Sequence, residues 1–261
     1  MRSGREGRAE QRSPGALFDL ETVFDVDDYL FAYGSELTGE RAQAEVDQWA
    51  GFLELDAPMR ILDLACGFGR HANRLAALGH TVTGVDIMPG FLEIARREAG
   101  RMGVRVDYRQ GDMRQIEFLE EFDRVLLLFT SFGYFEDSEN LEVLSRAGRA
   151  LRPGGLLGLD SLNGDAFANV PPSHEVIERG PDLLINRLSY DPDTRRLLNR
   201  RILVRNGIRK DKPFAVRLYS PAEIRDLVRE AGLETFKLMG GEGQALTPDV
   251  RRLAVVARKP A

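Results

Sequence analysis

Gly67 and Gly69 stand in the stretch "LDLACGFGRHA", residues 62–72, directly after a short apolar run. A Gly-x-Gly turn lets a ligand touch backbone, because no Cβ intervenes and positive φ is open. With Ala72 the two glycines satisfy G-x-G-x-x-G/A, and Asp86 closes the next apolar run. An acid placed there, roughly twenty residues on, can hold a pair of ribose hydroxyls. Two ligands use this chemistry. One is a nicotinamide dinucleotide, with its pyrophosphate at the helix start. The other is S-adenosylmethionine, which has no phosphate and presents its methionine and ribose to the turn.

Three features separate these ligands. Asp63 lies inside the first apolar run, where a dinucleotide fold usually carries an apolar residue and where a carboxylate can meet an ammonium group. "GDM", Gly111 to Met113, offers an acid suited to an adenine amino group. The chain then finishes in the pattern helix, strand, strand. Arg41 and Arg70 are candidates to pair with a cofactor carboxylate, although most arginines of so Arg-rich a chain are solvated.

On the acceptor side, Tyr134 is the first choice, since it falls just past the fourth strand, at the edge where such sheets bind ligands. The competing reading of "SFGYF" is a hydrophobic plug. Tyr29 and Tyr33 are expected to close a lid over a cationic group, which suits an aromatic face. His174 is a candidate base. His71 reads first as a helix-end residue and His80 as part of a helix–strand turn. These histidines are widely spaced, and no H-x-x-x-H pair or cysteine cluster occurs, so no metal site is expected.

The elements that must position these residues can be read from periodicity and breakers. Between residues 59 and 163, strands "RILDLA", "TVTGVDI", "VRVDYRQGD", "FDRVLLLF" and "LLGLDSL" alternate with helices "RHANRLAALG", "GFLEIARREAG" and "ENLEVLSRAGRAL". Pro89 suits a first helical turn, Gly79 and Gly100 suit helix stops, and "RPGG" breaks the third helix. This alternation predicts a mainly parallel sheet with right-handed crossovers. After residue 163, "LLINRLSYD", "LLNRRILVR" and "FAVRLY" read as antiparallel strands, with Asn206-Gly207 the strongest hairpin signal. "SPAEIRDLVREAG" reads as a helix capped by Ser220, with "LETFKLM" and "RLAVVAR" as the last strands. Residues 18–58 read as helices.

In order and spacing, "LDLACGFGRH", "GVDIMPGFLEIAR", "GDM" and "LRPGG" resemble a class I S-adenosylmethionine-dependent methyltransferase, well over residues 60–163 and more loosely beyond. "GDM" with Ser131 to Tyr134 is similar to the small-molecule branch, including N,N-dimethyltransferases of nucleotide-linked amino sugars. The resemblance implies a Rossmann-like, doubly wound, mostly parallel seven-stranded sheet with helices on both faces, an N-terminal helical lid and an inserted antiparallel block. It implies S-adenosylmethionine as cofactor, with Ala65, Gly67 and Gly69 bordering the methionine and Asp63 near its amino group. Asp86 would hold the ribose and Ile87 would pack on the adenine. Asp112 would accept from the adenine amino group, with Gly111 and Met113 beside the ring, and Phe129 would border the methyl donor. The expected divisions are a disordered tail over 1–17, the lid over 18–58, the cofactor core over 59–163, the antiparallel block covering the acceptor over 164–219, and core again over 220–261.

Composition narrows the classes. The net charge of −5 argues mildly against nucleic acid or an anionic membrane surface as main partner. The single cysteine, Cys66, precludes an intrachain disulfide and fits a reducing compartment. The N-terminus "MRSGREGRAEQRSPG" lacks the apolar segment of a secretory signal. The expectation is a cytoplasmic monomer or homodimer acting on O or N of a small molecule. The competing functions are a nicotinamide-dependent oxidoreductase, against which Asp63 and "GDM" count, and a non-catalytic S-adenosylmethionine-binding protein.

Overall fold

The computed structural model describes residues 17–261. The expected tail lies outside the described residues except for Leu17, whose N–H already donates to the Tyr134 carbonyl at 3.2 Å. Three helices come first: α1 (Leu20–Val23), α2 (Val26–Tyr33) and α3 (Gly39–Phe52). Asp19, Asp25 and Thr38 cap them, each side chain accepting from a backbone N–H three residues on. The core then alternates β1 (Arg60–Leu64), α4 (Ala72–Ala77), β2 (Thr81–Asp86), α5 (Pro89–Met102), β3 (Asp107–Gln110), β4 (Phe122–Leu127), α6 (Asp137–Ala150) and β5 (Leu151–Leu162). Beyond lie α7 (Gly164–Phe167), β6 (Ser173–Arg179), β7 (Asp182–Asp191), β8 (Arg196–Arg205) and β9 (Ile208–Arg217). The chain closes with α8 (Pro221–Glu230), β10 (Glu234–Gly240) and β11 (Arg252–Arg258).

The large sheet has the order β10-β11-β5-β4-β1-β2-β3. Neighbours from β3 across to β5 are parallel, whereas β11 runs antiparallel to β5 and β10 to β11. The chain winds outward from β1 to β3, then returns to lay β4 on the other side of β1. Strand order therefore reverses between β1 and β4, which opens a crevice at the carboxyl ends of the strands. Leu62 and Leu64 of β1 join one apolar layer with α6 and α8, while Ile61 joins the other with α3, α4 and α5. Strand period places Asp63 on the Ile61 face, toward α3 and α4.

Some boundaries differ from expectation. α5 runs past Gly100 and ends at Gly103, whose φ of 68° supplies the left-handed cap. A glycine inside a helix costs only about 1 kcal/mol, which the buried Phe91, Leu92, Ala95 and Ala99 offset. α6 stops before Pro153 as read, but the chain enters β5 already at Leu151, paired with Phe122.

The antiparallel block is a separate sheet of order β6-β7-β8-β9. Asn206 and Gly207 both adopt left-handed φ, 51° and 73°, as a type I′ hairpin requires. β6 was not legible as a strand, because this edge strand is mostly exposed and lacks an apolar alternation. The block sits against α2. Asp28, 1% exposed, receives Arg205 at 2.9 Å, Lys210 at 2.8 Å and Lys212 at 2.6 Å. Among the described residues, none of the block lines the main cavity. The expected direct cover is thus corrected: α1 and α2 stand between the block and the cavity.

Candidate active site

The cavity lies at the carboxyl ends of β1, β2 and β4, with a volume of about 900 Å³, and opens to solvent. Two irregular loops shape it. After β1, Ala65, Gly67 and Gly69 have φ of 53°, 55° and 76°; after β4, Phe129 and Thr130 have φ of 60° and 57°. Left-handed backbone at non-glycine residues persists only where surroundings hold it. Here Asp160 does so: its carboxylate accepts from Phe129 N at 3.0 Å and its carbonyl from Thr130 N at 3.2 Å. Arg252 pairs with that carboxylate and opposes the rise in pKa that burial causes.

Gly67 and Gly69 turn out to differ. A Cβ at Gly67 would meet open space, so this residue leaves a cradle on the wall. A Cβ at Gly69 would collide with the Tyr108 ring and, at 2.8 Å, with Ala95. Gly69 lets the turn pack on α5 and does not line the cavity. Tyr108 is itself fixed by a 2.7 Å bond to Asn73.

Asp86 accepts Gly67 N at 2.7 Å and Met88 N at 2.8 Å, which ties the glycine turn to the end of β2. Asp63 is 2% exposed, and its Oδ2 has no partner. Burial raises its pKa to about 7, with Arg70 opposing and Asp86 reinforcing. Arg70 is also buried. It pairs with Glu45 and stacks 4.6 Å from the Phe129 ring, yet its Nη2 has no partner. An orphaned carboxylate oxygen and an orphaned guanidinium nitrogen on one wall fit the ammonium and carboxylate of a bound amino acid.

Glu45 was not singled out in the sequence. It accepts His71 Nε2 at 2.8 Å and Arg41 Nε at 3.0 Å besides Arg70. Burial alone would raise its pKa, but the His71 hydrogen bond and the Arg70 charge hold it at about 2. Burial in turn lowers His71 to about 4, so its ring is neutral and donates to Glu45. His71 makes no helix-capping bond. His80 accepts Met59 N at 3.2 Å through Nδ1, a structural contact.

Ala65, Ile87, Gly111, Asp112, Met113 and Phe129 all line the cavity. The Asp112 carboxylate is already gripped by Arg114, through Nε at 3.1 Å to both oxygens, so any adenine contact must share it. Tyr29 and Tyr134 line the opposite side. Tyr33 stands one layer back, its ring 4.8 Å from that of Tyr29 and its hydroxyl accepting Arg201 Nη2 at 2.7 Å. His174 does not come to the site. It is exposed on edge strand β6, opposite Arg187, so it is dropped as a base candidate. The described residues include no cluster of potential metal ligands.

The fold is Rossmann-like, with the cavity at the carboxyl ends of the strands where strand order reverses. Residues 61–155 match the family model described as "Methyltransferase domain". Among curated proteins, the chain is 32% identical over 146 residues to the "Putative methyltransferase YqeM" of Bacillus subtilis (strain 168), covering 54% of this chain and 59% of that protein. The chain spans only about half the length of the first curated relatives it matches. Among solved structures, the CcbJ methyltransferase from Streptomyces caelestis superposes with a TM-score of 0.72 at 22% identity, over 84% of this chain and 90% of that one. A SAM-bound amino pentose methyltransferase from Micromonospora echinaspora superposes with a TM-score of 0.63 at 21% identity, over 89% and 96%. Both likenesses bear on the fold. No helix among the described residues is long and apolar enough to cross a membrane.

The state of Asp63 yields an expected pH dependence. In the free protein its carboxyl takes up a proton below about pH 7. An ammonium group bound beside it requires the carboxylate, so binding must expel that proton. Affinity for S-adenosylhomocysteine should then be about tenfold lower at pH 6 than at pH 8. Calorimetry at both pH values checks this, and Asp63→Asn should flatten the profile. An unchanged slope in that variant would remove Asp63 from the binding step.

Proposed function

We propose that the chain is an S-adenosylmethionine-dependent methyltransferase acting on oxygen or nitrogen of a small molecule. The observation that carries this reading is the pair of orphaned groups, Asp63 Oδ2 and Arg70 Nη2, on the cavity wall beside the glycine turn. They suit a zwitterionic amino-acid end. A dinucleotide pyrophosphate would meet the Asp63 carboxylate, which disfavours the oxidoreductase reading.

When bound, S-adenosylmethionine supplies a methyl group already activated on a sulfonium. The protein's work is therefore orientation and exclusion of water. Asp86 offers its remaining lone pairs to the ribose hydroxyls, and Ile87 and Met113 flank the adenine. Glu45 fixes the Arg70 guanidinium over Phe129, and Asp160 fixes the Phe129 backbone. Tyr29 and Tyr134 bound the acceptor space. Burial raises both phenols above their usual range, so they are neutral hydrogen-bonding groups and not bases. The same reading has the protein working in the cytoplasm as a monomer or homodimer, with no nucleic acid as partner. The net charge of −5 supports the last point.

A screen of sugars, amines, phenols and carboxylates, read as S-adenosylhomocysteine release, tests the activity. Cofactor binding without release for any acceptor class would favour a non-catalytic binding protein. Once an acceptor is found, Tyr134→Phe is expected to lower turnover by roughly tenfold to a hundredfold, with cofactor affinity and melting temperature kept. The Tyr134 hydroxyl makes no hydrogen bond among the described residues, so it is available to the acceptor. Normal turnover in Tyr134→Phe would return this residue to a packing role.

A further inference from the structure

The loop after β4 brings two hydroxyl groups to the cavity, and neither has a partner. Ser131 lines the cavity and is only 6% exposed, yet its Oγ makes no hydrogen bond among the described residues. Tyr134, on the same loop, lines the same cavity, and its hydroxyl makes none either. A buried hydroxyl left without a bond costs free energy that an apolar group of the same shape does not. Ser131 Oγ is thus a third orphaned polar atom of the cavity lining, in addition to Asp63 Oδ2 and Arg70 Nη2.

The backbone that carries these hydroxyls is pinned. Asp160 holds Phe129 and Thr130 in left-handed conformations directly before Ser131. Gly133 has a φ of 98°, its carbonyl accepts Arg217 N at 2.8 Å, and a Cβ there would strike the Arg217 carbonyl. The Tyr134 carbonyl accepts Leu17 N at 3.2 Å, and its ring lies 5.5 Å from that of Phe24, which also lines the cavity. Both residues therefore keep their places without a ligand, which lowers the ordering cost of binding one. The charged side chains that line the cavity, Asp63, Arg70, Asp86 and Asp112, all stand in or after β1, β2 and β3. The wall built by residues 20–29 and the loop after β4 adds rings and hydroxyls, from Phe24, Tyr29, Ser131 and Tyr134, and no charge.

We propose that Ser131 sets acceptor specificity: with Tyr134 it holds one uncharged polar group of a ring-bearing acceptor. Each hydroxyl can donate or accept, so the pair satisfies a group that does both, such as another hydroxyl. The rings of Phe24 and Tyr29 cover the apolar part. A carboxylate in that place would lose its hydration with no cation on this wall to answer it. An analogue without the polar group would leave Ser131 Oγ and Tyr134 Oη unpaired. The proposal rests on the methyltransferase reading and adds to it the charge of the acceptor and a residue that selects it.

The test uses the full chain saturated with S-adenosylhomocysteine and titrated at pH 8 with phenol, toluene and benzoate, which share a ring. Phenol should bind about tenfold or more tightly than benzoate. Ser131→Ala should weaken phenol roughly fivefold to tenfold and leave toluene unchanged or tighter, so the ratio of the two affinities falls. The same variant should keep its affinity for S-adenosylhomocysteine and melt no lower than the wild type, because the hydroxyl it loses is unpaired. Ser131→Cys, close in shape but a much weaker donor, gives the same reading should Ser131→Ala not fold. A phenol-to-toluene ratio unchanged in these variants, benzoate binding as tightly as phenol, or no binding of phenol overturns the proposal. Failure of the wild type to bind S-adenosylhomocysteine would instead strike the methyltransferase reading, while normal cofactor binding with an unchanged ratio strikes only Ser131.

Discussion

Asp86→Ala is expected to weaken S-adenosylhomocysteine binding by roughly a hundredfold, about 3 kcal/mol, without unfolding the protein. Two losses combine. The carboxylate that would take the ribose hydroxyls disappears, and such charge-assisted bonds are each worth about 1.5–3 kcal/mol. The backbone N–H groups of Gly67 and Met88 also lose their acceptor, at 2.7 and 2.8 Å, so the glycine turn loses its tie to β2. Burial raises the Asp86 pKa, with these N–H groups opposing. Burying this acid therefore costs free energy, and its removal should affect binding more than stability. Calorimetric affinity and melting temperature on one sample check this. Unchanged affinity would displace Asp86 from the site.

The two glycines of the turn should separate stability from binding. Gly69→Ala places a methyl group against Tyr108 and Ala95 at a φ of 76°. Overpacking and left-handed strain together should cost about 3 kcal/mol and lower the melting temperature by roughly 10 °C. Gly67→Ala has φ 55° and open space around the added methyl, so only about 1 kcal/mol of backbone strain applies. That methyl enters the cradle, so Gly67→Ala should keep the fold and lose cofactor affinity. Thermal melts and titrations of both variants check the division. Equal melting temperatures would refute the packing role given to Gly69.

The cofactor side was legible because its residues follow chain punctuation. Asp63, Gly67, Asp86 and Asp112 stand at or near the ends of strands with strong apolar runs, and parallel topology brings those ends to one edge. Asp160 carries the same signal as Asp63, an acid inside an apolar strand, but no ligand motif surrounds it in the sequence. Glu45 carried none: a single acid on a polar helix face becomes the partner of Arg70 and His71 only once α3 packs beside α4. Arg201 was hidden for a related reason. Its burial depends on which face of β8 meets α2, and the charged run before Phe214 carries no apolar alternation, whereas in the structure β9 begins at Ile208. His174 lies in the antiparallel block, and only the place of β6 at the edge of that sheet, which no sequence pattern marks, turns it to solvent.

Whether the crevice between β1 and β4 holds S-adenosylmethionine is tested most directly by titration of the unmodified chain at pH 8. Parallel titrations with S-adenosylhomocysteine and with a nicotinamide dinucleotide should show saturable one-to-one binding of the first and none of the second. Binding of the nicotinamide dinucleotide alone, or of neither, would contradict the account.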